Sequence, residues 1–204
     1  MPKLATFPKA ELEALVDGSL RLSSYLDFAA TLDVDGVELY PLIVDLENPA
    51  SWSAVRAECE SKGLEIPMLC CSPDFTHPDP AFRAQEIAKE QRWIEMSSLL
   101  GARFCRVLSG QRRPELSRAE GIELAAASIQ ACLPFAADHG VTLIIENHYK
   151  DGYWQYAEFA QKQAQMGALG SSSYARGAQV MQLERQLLEQ KHLEKQKHLK
   201  KHKE

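Results

Sequence analysis

The stretch Val141-Thr142-Leu143-Ile144-Ile145-Glu146 decides the fold. Its apolar residues do not alternate with polar ones, which is the pattern of a parallel strand covered on both faces rather than an amphipathic edge. Just before it, Ser117 to His139 has the composition of a helix. Ser117 caps it, Glu120 stands at the capping-box position and Gly140 stops it, while Pro134 should kink it.

The same unit recurs upstream. A helix over Ala81 to Leu100, closed by Gly101, precedes a strand over Arg103 to Leu108. A helix over Ser51 to Lys62, stopped by Gly63, precedes a strand over Leu64 to Cys71. A helix over Ser23 to Leu32, capped by Ser23 or Ser24, precedes Val37 to Tyr40, which Pro41 ends. Lys3 to Phe7 is a first strand, and Tyr156 begins a fifth helix. Short apolar runs alternating with longer helical ones predict βαβ units around a parallel sheet.

After Lys162 the composition changes. Residues 163–178 read as a Gly/Ser/Ala-rich linker, and residues 179–204 as a basic, Gln/Lys/His-rich helical tail in which Gln-Lys-His-Leu occurs twice. From Arg185 to Glu204, seven Lys or Arg and three Glu give +4, so the rest of the −5 chain carries −9. An acidic body argues against nucleic acid as partner, because phosphate recognition needs a basic face. The five cysteines have no CxxC spacing and read as reduced, buried thiols. No run approaches a membrane span or signal peptide, so the expectation is a cytoplasmic protein with no membrane partner.

Reactive groups of a parallel barrel project from the C-terminal ends of its strands. The polar residues there are Glu38 and Tyr40, Asp74 and His77, Arg106 with Arg112 and Arg113, and Glu146, His148 and Lys150. Glu146 is the sharpest candidate. At the mouth of an apolar barrel its carboxylate needs a cation or a donor, either a metal or Arg106 on the neighbouring strand. Glu38 follows the same logic with less force, and for His77 and His148 a loop hydrogen bond competes with a ligand role.

Four segments carry a family resemblance: Asp35-Gly36-Val37-Glu38-Leu39-Tyr40, Cys71-Ser72-Pro73-Asp74-Phe75-Thr76-His77-Pro78, Arg106 to Pro114, and Ile145-Glu146-Asn147-His148-Tyr149-Lys150-Asp151-Gly152-Tyr153-Trp154. Over residues 3–162 the chain resembles the sugar phosphate isomerase/epimerase family of xylose-isomerase-like TIM barrels. The resemblance implies an α/β fold, here a partial (β/α)8 TIM barrel of about five βα units in residues 1–162. It also implies a divalent metal (manganese, magnesium or cobalt), a small-molecule sugar or sugar phosphate as partner, and proton transfer next to a carbonyl through an enediolate. Glu146 maps onto a metal ligand and catalytic carboxylate. Glu38, His77, Arg106 and His148 are substrate-binding candidates by position.

The pattern also departs from the family. The expected ligands from strands six to eight (an Asp, a His and a second Glu) have no counterpart, and one carboxylate holds a catalytic ion poorly where three or more ligands are usual. The chain is therefore expected to be inactive or impaired as an isomerase. The alternatives are a truncated or frameshifted remnant, or an interaction protein that uses the basic C-terminal helix. The family's endonuclease branch is disfavoured by the acidic body.

Overall fold

The computed structural model describes residues 3–45 and 48–146. The fifth helix, His148, Lys150, the linker and the tail lie outside the described residues. The elements run β1 (Ala5–Thr6), α1 (Leu12–Val16), α2 (Leu22–Ala29), β2 (Gly36–Val37), a 3-10 turn (Pro41–Ile43), α3 (Pro49–Ser61), β3 (Met68–Cys70), α4 (Pro80–Leu100), β4 (Phe104–Val107), α5 (Arg118–Asp138) and β5 (Thr142–Ile145). Strands β1 and β2 pair in parallel, as do β3, β4 and β5 in that order. Parallel bridges Gly36↔Glu65 and Leu39↔Leu69 join the two groups. The five strands thus follow one another as staves of a partial barrel with helices in the crossovers, which is the arrangement the alternating pattern predicted.

Local chemistry sets most of the boundaries. The Asn48 side chain accepts from the Ala50 N–H and Pro49 opens α3; Asp79 and Pro80 do the same for α4. Gly101, at φ 79°, closes α4 in the left-handed region. The capping box of Ser117 and Glu120 is formed, and α5 runs on through Pro134 to Asp138.

Three expectations are corrected. Helix α2 starts at Leu22, with Arg21 rather than Ser23 or Ser24 at the N-cap and no side-chain cap, so both serines lie inside its first turn. The short helix α1, with only Leu15 buried, carries too little apolar periodicity to be read from sequence. Strand β5 is not covered on both faces among the described residues: Leu143 is buried, whereas Ile144 and Ile145 are half-buried and Thr142 is exposed.

The helix-facing core joins sheet to helices through Leu39, Leu69 and Cys105 with Trp52, Ile94, Met96 and Ile129, all essentially inaccessible. The Trp52 indole N–H donates to the Asp45 carbonyl at 2.6 Å, and the Arg92 guanidinium covers its ring at 4.8 Å, so the largest core side chain has no unmet polar atom. All five cysteines are free and buried, as their sequence context predicted.

The junction between the two strand groups is tight. A Cβ on Gly36 would lie 2.5 Å from the Glu65 carbonyl oxygen, and that oxygen also accepts from the Val37 N–H at 2.8 Å. Gly36→Ala must therefore push two hydrogen-bonded backbones apart. A loss of about 1–3 kcal/mol is expected, read as a lower urea midpoint; an unchanged midpoint would show that the junction yields freely.

Candidate functional site

Parallel register decides which side chains share a face. Cys70, Arg106 and Ile144 are paired across β3, β4 and β5, and Glu146 lies two residues beyond Ile144, on the same face. This is the face opposite Leu69, Cys105 and Leu143, which meet the helices. At its C-terminal end Arg106 Nε lies 3.3 Å from a Glu146 carboxylate oxygen, and Cys70 Sγ lies 3.5 Å from a Glu38 carboxylate oxygen. Burial, with Glu38 adding to it, pushes the Cys70 thiol up to about 12 despite Arg106 nearby, so Cys70 is an inert thiol. The structure therefore brings Glu38, Arg106 and Glu146 to one rim.

The ion pair is incomplete as a hydrogen bond. Arg106 is nearly buried, Glu146 is half exposed, and the buried Arg106 Nε–H finds no acceptor in hydrogen-bonding alignment. A buried donor without an acceptor is costly and uncommon, and a ligand oxygen is one way to satisfy it.

The two loops above the rim are clamped together. Asp74 binds Arg113 at 2.5 Å and accepts from the Gln111 N–H and the Thr76 hydroxyl, both at 3.2 Å, while Thr76 donates to the Gln111 carbonyl at 2.7 Å. Beneath it, Glu86 of α4 accepts from the Asp74 N–H at 2.8 Å. Gly110, at φ 104°, lets the backbones touch: a Cβ there would lie 2.6 Å from the Thr76 hydroxyl. Of the two arginines that the sequence places after strand four, Arg113 thus forms a loop-to-loop ion pair. Its signal was the charge complement to Asp74, but the separation in sequence hid it.

His77 sits in the same loop, engaged there. Its Nδ1 accepts from the Asp79 N–H at 3.1 Å and its ring stacks on Phe82 at 4.1 Å between centroids. Its contacts serve the loop, and it does not join the Arg106–Glu146 pair.

Among the described residues, Asp74 is committed to Arg113 and Glu146 faces a guanidinium, and the one close group of three His, Cys, Asp or Glu donors is Cys71, Glu90 and Cys105, on the helix-facing side. The described rim residues do not by themselves fit a catalytic metal. No helix among the described residues is long and apolar enough to cross a membrane.

Parallel staves with crossover helices, and polar groups gathered at the strand C-termini, define a partial parallel α/β barrel. The family model described as xylose isomerase-like TIM barrel matches residues 26–173, and the chain belongs to that family. Solved structures share the fold: a D-psicose 3-epimerase determined in the presence of D-fructose (17% identity over 72% of this chain and 55% of that one, TM-score 0.60), a D-psicose 3-epimerase with D-tagatose from Clostridium cellulolyticum H10 (15%, 76% and 55%, 0.60), and a 3-keto-D-glucoside 4-epimerase from E. coli (15%, 65% and 53%, 0.55). The chain spans about half the length of these structures. No curated protein sequence matches it.

The clamp has a pH signature. Burial raises the Asp74 carboxyl, but the bonds from Arg113, Gln111 and Thr76 outweigh it and hold the group below its ordinary value. A depressed folded-state pKa gives stability that is present above the unfolded value of about 3.9 and lost as pH falls through the folded one. Asp74→Asn is expected to cost about 1–2 kcal/mol at pH 7. The gap from wild type should close as urea midpoints are followed below about pH 4; a gap independent of pH would assign the effect to packing.

Proposed function

We propose that this chain is built for the chemistry of the sugar isomerases and epimerases: its rim binds a sugar or sugar phosphate, and Glu146 is the carboxylate placed to move a proton next to the substrate carbonyl. The observation that carries this reading is the Arg106 Nε–H, buried, without an acceptor and beside a half-exposed carboxylate at the strand ends. A sugar carbonyl or hydroxyl oxygen seated there would accept from Arg106. The guanidinium would then oppose the negative charge that grows on that oxygen as Glu146 takes the proton. Glu38 extends the rim with a second acceptor for hydroxyls, and His148 is proposed as a further substrate-binding residue. A divalent ion belongs to this proposal only with donors beyond the described rim, since that rim lacks a three-ligand set. The 204-residue chain is accordingly proposed to bind substrate but to turn it over poorly or not at all.

Two measurements on the full chain test this. Saturation-transfer NMR with D-fructose and fructose 6-phosphate should show binding that Arg106→Leu weakens roughly ten- to hundredfold, the equivalent of about 1.5–3 kcal/mol for a charged hydrogen bond. Circular dichroism of the variant controls for folding. If the wild type binds neither ligand, or the variant binds as well, the sugar-rim reading fails. Incubation with Mn2+ and ketose in D2O should give no deuterium next to the carbonyl above the protein-free control. Rapid metal-dependent exchange would instead sink the claim of impaired turnover. If the sugar does not bind while the chain captures acidic proteins in a salt-sensitive way, the basic tail becomes the functional element.

A further inference from the structure

The helix-facing side of the sheet holds a cluster that the rim does not use. Cys71 follows β3, Cys105 lies in β4 and Glu90 projects from α4, and all three are fully buried. Cys71 Sγ and Cys105 Sγ are 3.5 Å apart, and Cys105 Sγ is 3.1 Å from Glu90 Oε1. One donor atom from each residue lies within 4.8 Å of the other two. The second carboxylate oxygen, Glu90 Oε2, is buried and has no hydrogen-bond partner. A carboxyl set among thiols with one oxygen unsatisfied is an expensive way to fill a core, since a leucine or methionine of similar size would meet no such penalty.

We infer that Cys71, Cys105 and Glu90 form a closed binding site for a thiophilic divalent ion of the zinc class, between the sheet and α4. A tetrahedral ion with sulfur ligands at about 2.3 Å and oxygen at about 2.0 Å sets sulfur–sulfur and sulfur–oxygen edges of roughly 3.8 and 3.5 Å. The observed 3.5 and 3.1 Å need to open by only a few tenths of an ångström. Two thiolates and a Glu90 carboxylate that chelates through both oxygens supply four donors in a geometry flattened from the tetrahedron by the narrow carboxylate bite, so Oε2 gains its missing partner. Binding forms two metal–sulfur and two metal–oxygen bonds, and any thiol or carboxyl protons are released to solvent as the chain folds around the ion. The donors carry −3 against +2 on the ion, and the remaining charge lies within electrostatic range of Arg106. Ser97, whose hydroxyl donates to the Trp93 carbonyl at 2.9 Å, borders the cluster from α4. This ion would tie β3 and β4 to α4. It is independent of the rim and of any chemistry there.

Cobalt reports on this site directly, because thiolate ligation gives a sulfur-to-cobalt charge-transfer band that histidine or carboxylate ligation lacks. The full chain, refolded without air in a phosphine reductant with Co2+, is expected to develop this band, saturating at one ion per chain and bleached by Zn2+. Cys71→Ser and Cys105→Ser should each lower the band to about half, and the double variant should abolish it. Cys59→Ser, at a buried thiol elsewhere, should retain it, and Glu90→Gln should keep the band but weaken binding at least tenfold. Absence of the band from wild type, its survival in the double variant, or indifference to Glu90→Gln would each overturn the site. Should the double variant not refold, the zinc content of natively purified wild type decides: about one ion per chain supports the site, and none removes it. Cobalt held by His192, His198 and His202 gives no such band, and Cys70→Ser, which removes the thiol beside Glu38 at the rim, should retain it, so a failed sugar reading leaves this result intact.

Discussion

Strand β4 has neighbours on both edges, and its alternation divides the molecule's polar chemistry in two. Parallel pairing with β3 and β5 fixes its register, so successive residues must point to opposite faces. Cys105 turns toward α4 and meets Glu90; Arg106 turns inward and meets Glu146 and the neighbourhood of Cys70. A slip of one residue would place a guanidinium against the helices and a thiol at the rim. The burial of Val107, on the same face as Cys105, opposes that, because turning this side chain outward would forfeit roughly 1.5–3 kcal/mol.

With the register set, the loops are free to act as a frame. The β3–α4 and β4–α5 connections share Asp74, and a glycine allows them to touch. The clamp spans the same two strands that carry Cys70 and Arg106, so the rim is braced from above by polar bonds and from behind by helix packing. Glu86 links that brace to α4 through the Asp74 N–H. Helix α4 therefore supports the loop clamp at one turn and the thiol cluster at the next, through carboxylates four residues apart.

Whether a feature was readable in the sequence depended on how locally it was determined. The strand β5 run, the Ser117–Glu120 box and the Gly63, Gly101 and Gly140 stops are decided within a few residues, and the structure keeps them. The arrival of Glu38, Arg106 and Glu146 at one rim was also readable, because strand ends in a parallel array face the same way. The Asp74–Arg113 pair and the role of Glu90 were not. Each joins residues from different βα units, and a glutamate every fourth residue in a helix ordinarily marks a solvated face, not a buried one. Helix α1 and the start of α2 were missed for the opposite reason: they are short, weakly patterned and uncapped by side chains.

What limits a metal at the rim is the number of donors rather than competition from Arg106. A pair with one half-exposed partner and poor hydrogen-bond alignment contributes on the order of 1 kcal/mol, within the range of exposed ion pairs. A divalent ion held by several carboxylates exceeds that easily, so Arg106 would yield to a properly furnished site. With Glu146 as the one unclamped carboxylate beside Arg106, the guanidinium is its stronger local partner among the described rim residues. The helix-facing cluster differs in the relevant respect: its donors are fully buried, close together and without a cationic hydrogen-bond partner, so an ion there meets no incumbent.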